Sequence, residues 1–368
     1  MSKQTFFSGV QPSGNLHIGN YLGAIKNWVN IQEEYNAICC VVNLHAITVP
    51  QDPKELNRKT LEVAKLYIAA GLNPEKVTIF RQSDVPQHTE LMWLLNTITK
   101  TGELFKMTQF KDKGRMLLQK DAGDSRLSEV QGKNEQRSKT YDNTSSSSGV
   151  FDKEIRQTGN PSAGLLNYPV LMAADILIYN ADVVPVGEDQ TQHIEITRTL
   201  ARRFNKKFAE IFTVPNIYTS KAGKKIMALD DPLKKMSKSA EAINSRIELL
   251  DEPDVIRKKI MKATTDSENK IYYSDASEKA GLKNLLNIFS IITDTTPEQI
   301  AENYKEKGYG DFKKDLAEAM VKYLKPIQDK FNSISDEEVL EIFAKSKESL
   351  TTQATTNLTK IKKAMGLE

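Results

Sequence analysis

The chain has 368 residues, 39% of them hydrophobic and 27% charged, a composition that excludes global disorder and leaves room for two domains or one large domain with an appendage. Lysine and arginine number 51 against 48 aspartates and glutamates, a formal charge of +3, so a nucleic-acid partner would have to meet a local patch and not the whole surface. The two cysteines, Cys39 and Cys40, are adjacent, and no apolar run reaches the length of a membrane span, which excludes a disulfide scaffold, a zinc knuckle and a membrane helix, and points to a reducing compartment.

Taken in chain order, residues 6–10 read as a strand, and Pro12, Ser13 and Gly14 mark a turn. Residues 16–28 have helical spacing, 38–42 form a strand apolar on both faces, 56–70 are helical up to a stop at Gly71, and 77–80 are again a strand. This alternation predicts a parallel sheet with crossover helices. Ligands of such sheets gather beyond the C-terminal strand ends, so the loops after Val10, Val42 and Phe80 are the first places to look. Residues 111–162 are polar and rich in serine and lysine; the stretch 115–160 is expected to be an exposed, flexible insertion with little to bury. Order is expected to return with a helix over 165–175, a strand over 183–186, a polar turn at 187–190, a helix over 192–204 and a strand ended by Pro215. A lysine-dense loop at 234–239 precedes an expected helix over 242–250. Helical pattern then dominates, as over 282–292, 312–331 and 337–343. The expectation is an α/β domain over residues 1–250 followed by a helical domain over 251–368.

Two segments carry the chemistry. The run PSGNLHIGN, residues 12–20, follows the first strand directly. Gly14 and Gly19 let a ligand approach the backbone. His17 and Asn20, three apart, share one face of an opening helical turn, whose unpaired N–H groups suit phosphate. In KKMSKS, residues 234–239, Lys235 and Lys238 can converge on one polyanion while serines and backbone N–H groups add neutral donors. Alone, the first is an ordinary helix start with an incidental histidine, and the second a solvated basic loop. In this order, with a sheet between them, they point to a polyphosphate site. Glu188 and Asp189 are adjacent acids whose side chains diverge, and no histidine at suitable spacing completes a set, so a protein-ligated metal is not expected.

These two signatures, HIGN and KMSKS, resemble those of the class I aminoacyl-tRNA synthetases. The segments FSGVQPSGNLHIGNYLGA (7–24), HAIT (45–48), GELFKMTQFKDK (102–113), NYPVLMAADIL (167–177) and VVPVGEDQTQHIE (183–195) look more narrowly like tryptophanyl-tRNA synthetases of the bacterial and organellar type. The likeness continues through TDSEN (265–269), NLLNI (284–288) and GYGDFKKDLA (308–317). It implies a Rossmann-like parallel-sheet catalytic domain and an α-helical anticodon-binding domain. It also implies a homodimeric, cytoplasmic enzyme (or one of an organellar matrix, if the source is eukaryotic) with no membrane or DNA partner. Such an enzyme activates L-tryptophan with ATP, with Mg²⁺ carried on the ATP phosphates, and passes the tryptophanyl group to tRNA(Trp). The resemblance assigns catalysis to Gln11, His17, Asn20, Lys235 and Lys238. ATP binding falls to Gln11, Ser13, Gly14, Gly19, Asn20, Gly187, Asp189, Met236, Ser237 and Lys238. Tryptophan would be walled by Phe7, Met172, Val184 and Val186, with His45 close to the pocket. Asp175 would accept the indole N–H, and Tyr168 and Gln190 would meet the amino group.

The chain departs from that pattern in carrying Asn43 where many relatives have Asp, Ala240-Glu241 where many have Asp-Pro, and the 115–160 insertion. A tyrosyl-tRNA synthetase is the nearest alternative, opposed by the MAAD and VGEDQ elements. A non-catalytic RNA-binding derivative predicts decay of His17, Asn20, Lys235 or Lys238, and all four are intact. A dinucleotide oxidoreductase would want GxGxxG after the first strand.

Overall fold

The computed structural model describes residues 3–111, 161–187, 190–218, 225–238, 240 and 242–368; the expected insertion at 115–160 lies outside them. Five parallel strands form one sheet: β1 (Thr5–Val10), β2 (Asn36–Val41), β3 (Val77–Arg81), β4 (Val183–Pro185) and β5 (Asn216–Tyr218), in the order β3-β2-β1-β4-β5. Thr5 lies opposite Asn36 and Val10 opposite Val41, while Phe6 opposite Val183 joins β1 to β4. Strand β2 is buried from Ala37 to Val41, as its AICCV run requires of a parallel strand covered by helices on both faces.

The crossovers follow the hydrophobic periodicity. From β1 the chain runs through α1 (Ile18–Asn20), a π turn (Tyr21–Ile25) and α2 (Lys26–Ile31) to β2. It continues through α3 (Asn43–Ala46) and α4 (Pro53–Ala69) to β3. Helix α4 begins where Asp52 accepts the Glu55 N–H at 2.9 Å and Pro53 opens the first turn, the usual chemistry of a helix start. It stops beside Gly71, whose φ of +113° suits glycine alone. Helices α5 (Gln87–Asn96) and α6 (Thr101–Phe105), beyond the elements expected from periodicity, follow β3. Helix α7 (Ala163–Leu177) precedes β4, and α8 (Thr191–Lys207) leads to β5. The sequence places a strand end at Pro215, but β5 opens just after it. Proline lacks an N–H to give the ladder, and Asn216 N–H is the first group to pair, donating to the Asp182 carbonyl at 2.8 Å.

One expected helix is absent. Over 242–250 the chain makes a single 3₁₀ turn (Ile243–Ser245) and then runs extended beside the first signature. Ile18 N–H donates to the Ile247 carbonyl at 2.9 Å, and Leu249 N–H to the Leu16 carbonyl at 2.8 Å. The reason is the period: Ile247 and Leu249 are buried while Arg246, Glu248 and Leu250 are half-buried, the two-residue alternation of a strand.

Five further helices complete the chain: α9 (Pro253–Lys262), α10 (Ala280–Thr293), α11 (Pro297–Tyr304), α12 (Tyr309–Ser333) and α13 (Asp336–Ala364). Apolar packing does not stop at residue 250. One core joins Phe6, Trp28 and Ile79 of the sheet side to Ile256, Leu282, Phe312 and Phe343. A second, on the other face, joins Phe7, Phe80 and Val184 to Leu350, Leu358 and Ile361 of α13. The last helix thus closes back over the sheet.

Candidate active site

The strand order reverses between β1 and β4, and the crevice beyond their C-terminal ends is where such a sheet binds ligands. Gln11 leaves β1 there; Val186 and Gly187 leave β4. His17 ends the extended stretch with φ −117° and opens α1, and Asn20 turns back so that its Oδ1 accepts the His17 N–H at 3.2 Å. A Cβ on Gly19 would lie 2.9 Å from His17 Nδ1, so a side chain at that position would have to displace the His17 ring.

The second signature arrives on a hairpin. Ala228 N–H donates to the Lys234 carbonyl at 2.8 Å and Met236 N–H to the Ile226 carbonyl at 3.1 Å. Met236 is buried against Gly19. Lys238 Nζ donates to the Gln11 carbonyl at 3.2 Å, and its Cβ passes over Gly14, which holds φ at +63°. Gln11, Gly14, His17, Gly19, Met236 and Lys238 are therefore brought together. Asn20 and Ser13 are half-buried beside them, as is Ser237, while Lys235 is exposed. Asp189 lies outside the described residues; of its neighbours in the chain, Gly187 is exposed and Gln190 half-buried.

Two pKa shifts describe the electrostatics. Burial, reinforced by Lys238, Arg246 and Lys235, pulls the His17 imidazole down to about 3, so it is neutral at physiological pH. Its buried Nδ1 has no hydrogen-bond partner among the described residues, which leaves one polar atom for a ligand. Burial of the ammonium, with Lys59 as the next cause, brings Lys238 down to about 7.

Behind these groups runs a polar chain that the sequence did not reveal. Lys59 of α4 donates to Asn15 Oδ1 and, at 2.6 Å, to Glu62. Asn15 Nδ2 donates to Glu248, Arg246 donates to the other Glu248 oxygen at 3.0 Å, and Arg246 also donates to the Ala240 carbonyl at 2.8 Å. Asn15, Lys59, Glu62 and Glu248 line a cavity of about 250 Å³. Asn15 belongs to the first signature, but nothing in the pattern of α4 marks Lys59 as a buried lysine.

The residues assigned to tryptophan also assemble. Phe7, Tyr168 and Val184 share the second apolar core, with Met172 and Val186 packed against it. Asp175 is 1% exposed. His45 Nε2 lies 2.8 Å from its Oδ2, His88 Nδ1 lies 2.6 Å from its Oδ1, and Gln82 Nε2 reaches both oxygens at 2.8 Å. Burial pushes the Asp175 pKa up, but the bonds from His45 and His88 outweigh it and the net shift is downward. An ionised carboxylate only accepts, so both histidines donate to it, and His88 Nε2 then accepts from the Tyr179 hydroxyl at 2.7 Å. Gln82, His88 and Tyr179 were missed by the sequence reading. No local pattern marks them, since their partners are distant in sequence; all four histidines of the chain, His17, His45, His88 and His193, are buried. His193 meets the Tyr168 hydroxyl at 2.6 Å. Asn43 exchanges two bonds with Ser83 across the ends of β2 and β3, at 2.9 and 3.1 Å, so its amide serves both as donor and acceptor. Among the described residues no group of three or more histidines, cysteines or acids could hold a metal.

The family model of class I tRNA synthetases (W and Y) matches residues 2–124 and 141–325. The chain belongs to that family. The gap between the two matched stretches, 125–140, falls inside the expected insertion, and residues 326–368 lie beyond the match. A tryptophan–tRNA ligase of Clostridium tetani is 47% identical over 367 residues, with 99% of this chain and 96% of the relative covered. One of Helicobacter pylori is 44% identical, with both chains covered in full. Among solved structures, tryptophanyl-tRNA synthetase from Mycoplasma pneumoniae superimposes with a TM-score of 0.80 at 34% identity, covering 99% of this chain and 98% of that one. The Campylobacter jejuni enzyme, complexed with ADP and tryptophan, gives 0.76 at 30% identity and covers 99% and 100%.

Proposed function

We propose that this chain is an ATP-dependent tryptophan–tRNA ligase. The observation that carries the reading is the meeting of Lys238 with the Gln11 carbonyl, beside neutral His17, where the sheet order reverses. Full-length relatives that are tryptophan–tRNA ligases support it against the tyrosyl alternative.

In the first step a carboxylate oxygen of tryptophan attacks the α-phosphorus of ATP in line, the α–β bridging P–O bond breaks, and pyrophosphate leaves with the electron pair. The attacking carboxylate is already ionised, so no strong base is needed. The chain supplies charge and position. Lys238 and Lys235 offset charge on the polyphosphate, His17 and Asn20 hold ATP from the opening of α1, and Gln11 lies between amino acid and α-phosphate. Ser13, Gly14, Gly19, Gly187, Asp189, Met236 and Ser237 complete the nucleotide site. Mg²⁺ would be carried on the ATP phosphates, not on protein ligands, and would supply neutralising charge there. Phe7, Met172, Val184 and Val186 wall the indole, Asp175 accepts its N–H, Tyr168 and Gln190 meet the amino group, and His45 supports Asp175. In the second step a hydroxyl of the terminal adenosine of tRNA(Trp) attacks the activated carbonyl and AMP leaves.

The helices beyond residue 250 are proposed to read the anticodon. The chain is proposed to act as a homodimer in the cytoplasm; no described helix is long and apolar enough to cross a membrane. Trp93 of α5, 69% exposed, is an apolar surface residue suited to a subunit contact.

ATP–pyrophosphate exchange tests the reading. It should depend on tryptophan and not on tyrosine or phenylalanine. Lys238→Ala should lower kcat by roughly 100-fold, as for loss of one electrostatic stabiliser, with tryptophan KM nearly unchanged. Exchange driven equally by tyrosine would defeat the proposal.

A further inference from the structure

The hairpin carrying Lys235 and Lys238 has one strand turned toward α10. Its cross-strand bonds use Ala228 and Met236 N–H groups, with Met227 paired against Lys235. Asn284 of α10 satisfies both backbone groups of Met227. Its Oδ1 accepts the Met227 N–H at 2.9 Å, and its Nδ2 donates to the Met227 carbonyl at 2.9 Å. A carboxamide in this pose supplies, at one residue, the donor and acceptor of a neighbouring strand. Asn284 is 3% exposed, so water does not easily replace it.

The same edge is fastened next door. Thr264 N–H donates to the Leu229 carbonyl at 2.7 Å and its hydroxyl to the Asp230 carbonyl at 2.8 Å. Helix α10 sits directly on Thr264, because a Cβ on Gly281 would come within 2.2 Å of the Thr264 carbonyl oxygen. The strand before the signature lysines is thus held by the helical part of the chain through hydrogen bonds to the strand's backbone groups.

We propose that Asn284 is a positioning residue of the reaction, which clamps Met227 by both backbone groups and so sets where the paired strand holds Lys235 and Lys238. The role rests on the reading of those lysines as polyphosphate groups. A two-stranded ribbon alone is marginal in water. Without the clamp the hairpin samples more conformations, and a smaller fraction presents the lysines to the leaving pyrophosphate. The residues assigned to tryptophan stand mainly on β1, α3, α7 and β4, so tryptophan binding is spared.

Two readouts on Asn284→Ala test this. Hydrogen exchange of the 226–236 segment should speed up at least about tenfold relative to wild type, while α10 and α12 stay protected. In tryptophan-dependent pyrophosphate exchange kcat should fall about tenfold, with tryptophan KM within about twofold. Should Asn284→Ala fail to fold, Asn284→Asp keeps the volume and the acceptor while setting an oxygen against the Met227 carbonyl, and should shift both readouts the same way. Unchanged exchange in 226–236, wild-type kcat, or a loss expressed as raised tryptophan KM would overturn the proposal. A wild-type chain without tryptophan-dependent activity would instead count against the functional reading, and the hydrogen-exchange result would still decide the clamp.

Discussion

Lys238 sits where lysines seldom do, with its ammonium desolvated and brought down to about 7. Only the charged form attracts ATP, and above pH 7 the ligand-free site increasingly loses that charge. The KM for ATP should therefore rise between pH 7 and 8.5. In Lys238→Arg the rise should flatten, because a guanidinium does not deprotonate in this range, while the titration of ATP itself is common to both. Equal pH profiles for the two proteins would show that Lys238 is not the titrating group. Asp175 poses a different question. Its carboxylate already accepts from His45, His88 and Gln82, so it enters substrate binding oriented and ionised. Asp175→Asn keeps the shape but turns an NH₂ toward a histidine donor. Losing a charge-assisted hydrogen bond costs about 1.5–3 kcal/mol, so tryptophan KM should rise about ten- to a hundredfold with little change for ATP. A wild-type tryptophan KM in that variant would remove Asp175 from the indole site. Gln11, His17, Lys238 and Asp175 stand in recognisable segments and were legible. Gln82, His88 and Lys59 were not, since each acts through a neighbour distant in sequence.

Elements were legible where one period dominated. Strand β2, buried throughout, and the amphipathic α4, α8 and α12 fall close to their expected bounds. The stretch 242–250 did not, because its alternation of Ile247 and Leu249 with polar neighbours is short and follows a helical-looking AEAINS start. Pairing with Leu16 and Ile18, more than 200 residues away in the chain, decided it. Helix α10 offers a sharper test of element packing. Alanine is favoured over glycine in a helix by about 1 kcal/mol, yet a Cβ at Gly281 would stand 2.2 Å from a backbone oxygen. The clash is with main chain, which cannot swing aside, so it should outweigh propensity. Gly281→Ala is expected to destabilise the protein by about 1–3 kcal/mol in urea denaturation; an equal or higher midpoint would mean that α10 can shift without cost.

At the scale of the molecule, two apolar cores each draw residues from both sides of residue 250. Such packing couples the parts, so urea should unfold the described structure in one transition. Trp28, buried in the sheet-side core, and Trp93, exposed on α5, report by fluorescence, while far-UV circular dichroism follows the helices. Two separated transitions would show that sheet and helical region are held apart more loosely than their shared cores imply. By itself the sequence determined the parallel α/β class, the two signature segments and their order, and the family, because these reside in local period and in short motifs read within a few residues. Only the tertiary structure decided that residues 246–249 would pair with the first signature, that Lys59 and His88 would be buried polar supports, and that α13 would return across the sheet. Those outcomes depend on which surfaces meet after the chain has folded, and no local period encodes a partner 100 or 200 residues away.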